Sequence, residues 1–122
     1  MKYMILVAET EKEFAMRNEA GTPAFEAFMA PWFAYSSELA QAGVIVGGQA
    51  LMGPETATTV KIREGKRIVQ DGPYADAKEQ LGGFFVIDVP DTETARDWAV
   101  KAPTTKTGHT DLRKVMPYEE GA

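Results

Sequence analysis

Two stretches of helical spacing, each flanked by strand-like runs, constrain this chain more than anything else in it. Residues 3–8, Tyr3-Met4-Ile5-Leu6-Val7-Ala8, are continuously apolar and bounded by charge, which predicts a buried first strand. Residues 9–21 are polar and irregular, with Phe14 and Met16 as their large apolar groups, and read as a loop or a short helical turn. Thr22-Pro23 then starts a helix, because a threonine hydroxyl can cap free amides and a proline at the first helical position gives up no hydrogen bond. Phe28, Trp32, Tyr35 and Leu39 follow at spacings of four, three and four, so they share one face. Pro31 falls inside that pattern and predicts a kink or a restart. Gly43 closes the segment as a residue able to take positive φ.

The second half repeats the alternation. Val44-Ile45-Val46 opens a strand in which Gly47-Gly48 suggests a bulge, and Gly53-Pro54 ends it. Residues 58–63 alternate, with Val60 and Ile62 on one side and Lys61 and Arg63 on the other. Glu64-Gly65 turns the chain and residues 66–70 return as the hairpin partner. Asp71-Gly72-Pro73 forms another turn, and residues 84–89, apolar at nearly every position, predict a central strand. Asp91 caps a second helix carrying Ala95, Trp98, Ala99 and Ala102, which Pro103 stops. Residues 109–115 make the last strand, and the tail from 118 to 122 reads as frayed. The order β-α-β-β-hairpin-β-α-β predicts an α+β fold of ferredoxin-like βαββαβ type with an extra hairpin strand, both helices covering one face of a mostly antiparallel sheet.

With 122 residues the chain has room for one core, so residues 1–122 read as a single domain. A net charge of −5 argues against nucleic acid as the main partner. Lys61, Arg63, Lys66 and Arg67 form the one local basic cluster and read as the solvated face of the hairpin. The lack of cysteine removes disulfides, thiol catalysis and cysteine metal sites, and a single histidine argues against a dedicated transition-metal site. The apolar run at residues 3–8 is too short for a signal peptide or a membrane span, so the expectation is a cytoplasmic protein with no membrane partner.

The stretch Asp71-Gly72-Pro73-Tyr74-Ala75-Asp76-Ala77-Lys78-Glu79-Gln80-Leu81-Gly82-Gly83-Phe84-Phe85 resembles the signature of the YCII-related, or DGPF, family. Tyr74 stands for that family's usual Phe, Asp76 for Glu, and Ala77 for Thr or Ser. Gly47-Gly48-Gln49-Ala50-Leu51, the run Ala57-Thr58-Thr59-Val60 and the opening Met1-Lys2-Tyr3-Met4 resemble it as well. The resemblance implies a dimeric α/β-barrel type of fold and a homodimer, with no cofactor assigned. Many members are encoded beside extracytoplasmic-function sigma factors. The wider family includes a dehydrochlorinase-type enzyme with a proposed His and Asp pair in a pocket. By alignment without gaps from Gly43, its helical histidine falls on Trp32 here, so that pair is not intact.

Two residues are candidates for chemistry. Asp71 stands at a strand end before Gly-Pro, which either caps its own turn or presents a pre-organised carboxylate to a cleft. His109 is the one side chain whose ordinary pKa lies near neutrality, and it opens the last strand, either at a pocket rim or on a bare surface. Trp32 and Tyr35, after the proline, and Tyr74, beside Asp71, are candidates for lining a substrate cleft. The function expected is binding of a small organic ligand, with cofactor-independent catalysis open. The alternatives are a non-enzymatic interaction or accessory module linked to sigma-factor regulation and, by fold analogy, an oxygen-dependent monooxygenase.

Overall fold

A computed structural model describes residues 1–118. The expectation for the tail falls mostly on residues 119–122 and so lies outside the described residues. The strands are β1 (Lys2–Thr10), β2 (Ile45–Ala50), β3 (Thr58–Arg63), β4 (Lys66–Asp71), β5 (Glu79–Asp88) and β6 (His109–Lys114). The helices are α1 (Glu11–Ala15), α2 (Pro23–Gln41), α3 (Thr92–Val100) and α4 (Thr104–Thr107). Among the described residues no helix is long and apolar enough to cross a membrane.

Four strands form one antiparallel sheet in the order β2-β5-β1-β6. The extra hairpin does not join it. β3 and β4 pair with each other as a separate two-stranded sheet, Val60 opposite Val69. β1 sits between two partners, which suits its apolar run. Its odd positions Tyr3, Ile5 and Val7 are buried in one cluster with Ile87 of β5, Tyr35 and Leu39 of α2, and Ala95 of α3. Both long helices therefore cover the same face of the sheet. On the other face Met4 and Leu6 of β1 and Phe84 and Val86 of β5 are only half-buried.

The helix starts follow from local chemistry. The Thr22 hydroxyl accepts from the amide of Phe25 at 3.2 Å, and Asp91 accepts from the amide of Thr94 at 2.8 Å. Gly43 takes φ +70, the left-handed conformation that ends α2. The polar stretch after β1 is more ordered than its composition suggests. Thr10 and Glu13 cap reciprocally, the Thr10 side chain on the Glu13 amide and the Glu13 side chain on the Thr10 amide, and this starts α1. A 3-10 turn, Met16–Glu19, follows.

Pro31 does not interrupt α2, which runs unbroken from Pro23 to Gln41. The amide missing at residue 31 would have bonded the carbonyl of Ala27. Ala27, Pro31, Ala34 and Glu38 form the exposed face of the helix, so water can reach the carbonyl that the proline leaves free. The bulge expected at the paired glycines of β2 falls one residue earlier, at Val46.

Candidate functional site

The face of α2 that begins at Phe25 and Phe28 does not close down fully on the sheet. Between it and strands β2 and β5 lies a cavity of about 580 Å³. Its walls are mainly aromatic and aliphatic, with Phe28, Met29 and Trp32 from α2 facing Ile45 and Phe85 of the sheet. Trp32 stacks near Phe85, ring centroids 6.3 Å apart, and Tyr35 meets Phe85 edge-on at 5.3 Å. Such pairs hold one another's orientation and add about 1 kcal/mol each beyond area burial.

One charged pair stands in this apolar wall. Glu9 continues the inward-facing series Tyr3, Ile5, Val7 and is 2% exposed. Arg17, brought back by α1 and the 3-10 turn, meets it with two bonds, Nη2 to Oε2 at 2.8 Å and Nη1 to Oε1 at 3.2 Å. The Arg17 Nε donates to the carbonyl of Leu51 at 2.8 Å, and Nη2 also donates to the carbonyl of Gly82 at 3.2 Å. A guanidinium has five N–H groups, so these four bonds leave a single N–H, on Nη1.

Gly82 makes room for the pair. β5 carries it as an extra residue, because Val7 pairs with Gly83 and Ala8 with Leu81. A β-carbon on Gly82 would collide with the Glu9 carboxylate. The first glycine of the double-glycine motif is thus explained by a close approach of side chain to backbone.

Of the five candidate residues, the structure brings only Trp32 to the cavity. Tyr35 is buried one turn further on. Its hydroxyl donates to the carbonyl of Trp98 at 2.8 Å, and burial, reinforced by Glu38, pushes its pKa well above the usual tyrosine range. Asp71 is exposed at the end of β4, opposite Thr58. Tyr74 is exposed beyond it, with the Lys61 ammonium 5.4 Å from its ring centre. His109 opens β6, its Nδ1 bonded to Glu79 and its Nε2 3.6 Å from Asp111. The bond to Glu79 raises its pKa, with the charge of Asp111 adding to the effect. His109 borders a second, shallower cavity with Arg96 and Thr105. Asp71, Tyr74 and His109 do not line the aromatic cavity.

Glu9 and Arg17 escaped the reading of the sequence. The signal was present in the period of β1. A residue two places beyond Tyr3, Ile5 and Val7 inherits their side of the sheet, so the charge that seemed to end the strand is the strand's last inward position. Arg17 carries no such pattern, and only the turn after α1 returns it to the sheet.

Comparison with known proteins adds the following. The family model described as the YCII-related domain matches residues 1–119. An uncharacterized protein of Rhizobium meliloti (strain 1021) is 37% identical over 79 residues, covering 62% of this chain and 64% of that protein. The match therefore spans under two thirds of that relative. Among solved structures, the 5-chloro-2-hydroxyhydroquinone dehydrochlorinase of Burkholderia phenoliruptrix AC1100, in complex with 2,5-dihydroxybenzoquinone, aligns with a TM-score of 0.53. It shares 17% identity over 95% of this chain and 94% of its own, a likeness of fold.

Proposed function

The chain belongs to the YCII-related family, and on that premise we propose that it binds a small, largely apolar aromatic molecule in the cavity between α2 and the sheet, and does so as a homodimer. The observation that carries the reading is the cavity itself. Its volume of about 580 Å³ suits a small organic ligand, and its wall is largely aromatic and aliphatic with the Glu9–Arg17 pair fixed in it. Because Glu9 neutralises Arg17, the site offers no free cation for a phosphate or a polycarboxylate. What it offers is flat apolar surface and one charge-assisted N–H, which matches a phenol or quinone oxygen on a ring. The quinone held by the dehydrochlorinase of like fold is in keeping with this ligand class. In this reading Trp32 supplies stacking surface and Arg17 orients the ring. The order β2-β5-β1-β6 supports a ferredoxin-like fold, and the half-buried face of Met4, Leu6, Phe84 and Val86 supports closure of the sheet against a second copy.

Isothermal titration calorimetry against a panel of monocyclic and bicyclic phenols and quinones, 2,5-dihydroxybenzoquinone included, tests the reading. At least one should bind in the micromolar range. Trp32→Ala should weaken that binding by roughly tenfold, about 1.4 kcal/mol, while the protein stays folded. If no member of the panel binds at millimolar concentration to folded protein, the cavity is not a site for this class.

A further inference from the structure

The hairpin of β3 and β4 is an arm. It forms its own sheet, and its residues are mostly exposed along both strands. Yet one face carries three exposed apolar side chains, Val60 60%, Val69 51% and Ile62 67% exposed, with Arg67 opposite Ile62. An isolated two-stranded hairpin is marginal in water, and an apolar face on it points to a surface that something covers. The base of the arm is closed by bonds between its own two ends. The Gly72 amide donates to the carbonyl of Ala57 at 2.7 Å, and the Thr59 hydroxyl donates to the carbonyl of Gly72 at 2.8 Å. Gly72 sits at φ +90, so the Asp-Gly-Pro turn needs its glycine. The Gln80 side chain ties down the following loop through the carbonyls of Ala75 and Ala77. The signature turn thus closes the base of a projecting apolar surface.

The cavity has the complementary defect. At its mouth Phe33 is 64% and Met52 65% exposed. Charge is complementary too. Residues 58–71 hold four cations against two anions, while the whole chain has 13 cations and 18 anions, which leaves nine cations against sixteen anions elsewhere. Glu26, exposed on α2 and next in sequence to cavity-lining Phe25, is one of those anions.

We infer that the β3–β4 arm of each copy lies across the cavity mouth of the other, placing Val60 and Ile62 over Phe33 and Met52, so that the ligand site is completed in trans. The inference rests on the homodimer proposed above. It gives the Asp71–Tyr74 segment a task that its distance from its own cavity does not: closing the base of an arm that serves the partner's.

Because the chain has no cysteine, directed cross-linking is clean. Ile62→Cys and Phe33→Cys are made as separate full-length variants, mixed, and oxidised mildly, with sedimentation of the unmodified protein run in parallel. The expected result is a dimer in sedimentation and a disulfide heterodimer from the mixture, with little product from either variant alone. A dimer that gives no heterodimer overturns the arm placement and leaves the dimer standing. So does a product from Ile62→Cys alone, which would mean arm against arm. A monomer at tens of micromolar overturns the dimer and the arm together. The double variant gives a further control: an intramolecular disulfide in monomeric protein would show the arm folded onto its own cavity, and would also overturn the inference.

Discussion

Replacing Glu9 by alanine removes the carboxylate bonded to the Arg17 guanidinium and leaves that cation largely enclosed among Phe14, Leu51 and Gly82. The two groups are 3% and 17% exposed along their side chains, so the loss is that of a buried pair, about 3 kcal/mol in urea denaturation. The double change Glu9→Leu with Arg17→Met should cost clearly less than either single change, since no orphan charge remains. A single Glu9→Ala loss under 1 kcal/mol would show that the pair is solvated and adds little. His109 supplies a second test at this scale. It is the chain's single histidine, so its ring proton signal in NMR is unambiguous. The bond from Glu79, helped by Asp111, raises its pKa above 6.5 in the folded state. The sign follows: the bond's contribution to stability is complete below the unfolded value near 6.5 and fades as pH rises through the folded value. The titration midpoint should therefore lie above 6.5 and fall in Glu79→Gln, and an unchanged midpoint in that variant would remove Glu79 as the cause.

At the scale of elements, α2 shows where the sequence speaks and where it is silent. Thr22, Pro23 and Gly43 mark its ends by local hydrogen bonding and dihedral preference, which need no knowledge of the rest of the chain, and the structure has its ends there. The same local logic predicts that Pro31 interrupts the helix. Its outcome depended on which face of the helix carried it, and tertiary packing decides that. With Ala27 and Pro31 outward, the unmet carbonyl is left to water and packing of Trp32, Tyr35 and Leu39 carries the helix through. The candidate site divides the same way. Trp32 was legible from helical spacing, and Glu9 was legible in principle from the period of β1. The meeting of Glu9 with Arg17 and Gly82 was not, because it joins an arginine within a 3-10 turn to a bulge more than sixty residues away. The helix reading has a direct consequence. Pro31→Ala restores an amide to an exposed turn without touching the inner face, and should raise stability by about 2 kcal/mol, the larger helix term being offset in part by a freer unfolded chain. Denaturant midpoints that fall instead would mean that the proline holds a bend needed to keep the cavity open, and ligand titration of the variant would then show weaker binding.

For the whole molecule, the uneven spread of charge has a consequence that no single element does. The arm is basic and the remainder strongly acidic, so two copies that lay arm against body would gain from attraction, while two that met only through the half-buried sheet face would bring acidic bodies together and gain from salt. The screening length falls from about 10 Å at 0.1 M salt to about 3 Å at 1 M, enough to silence contacts between exposed side chains. Sedimentation equilibrium across this range distinguishes the two arrangements. With the arm engaged, the dimer dissociation constant should rise roughly tenfold, a change of about 1.4 kcal/mol, between 0.1 M and 1 M sodium chloride. Arg63→Gln with Arg67→Gln, on the exposed tip of the hairpin, should weaken the dimer at low salt and flatten the dependence, since the attraction being screened is then already gone. A dimer that tightens with salt, in unmodified protein and variant alike, would place the contact on the apolar sheet face and leave the arm free in solution.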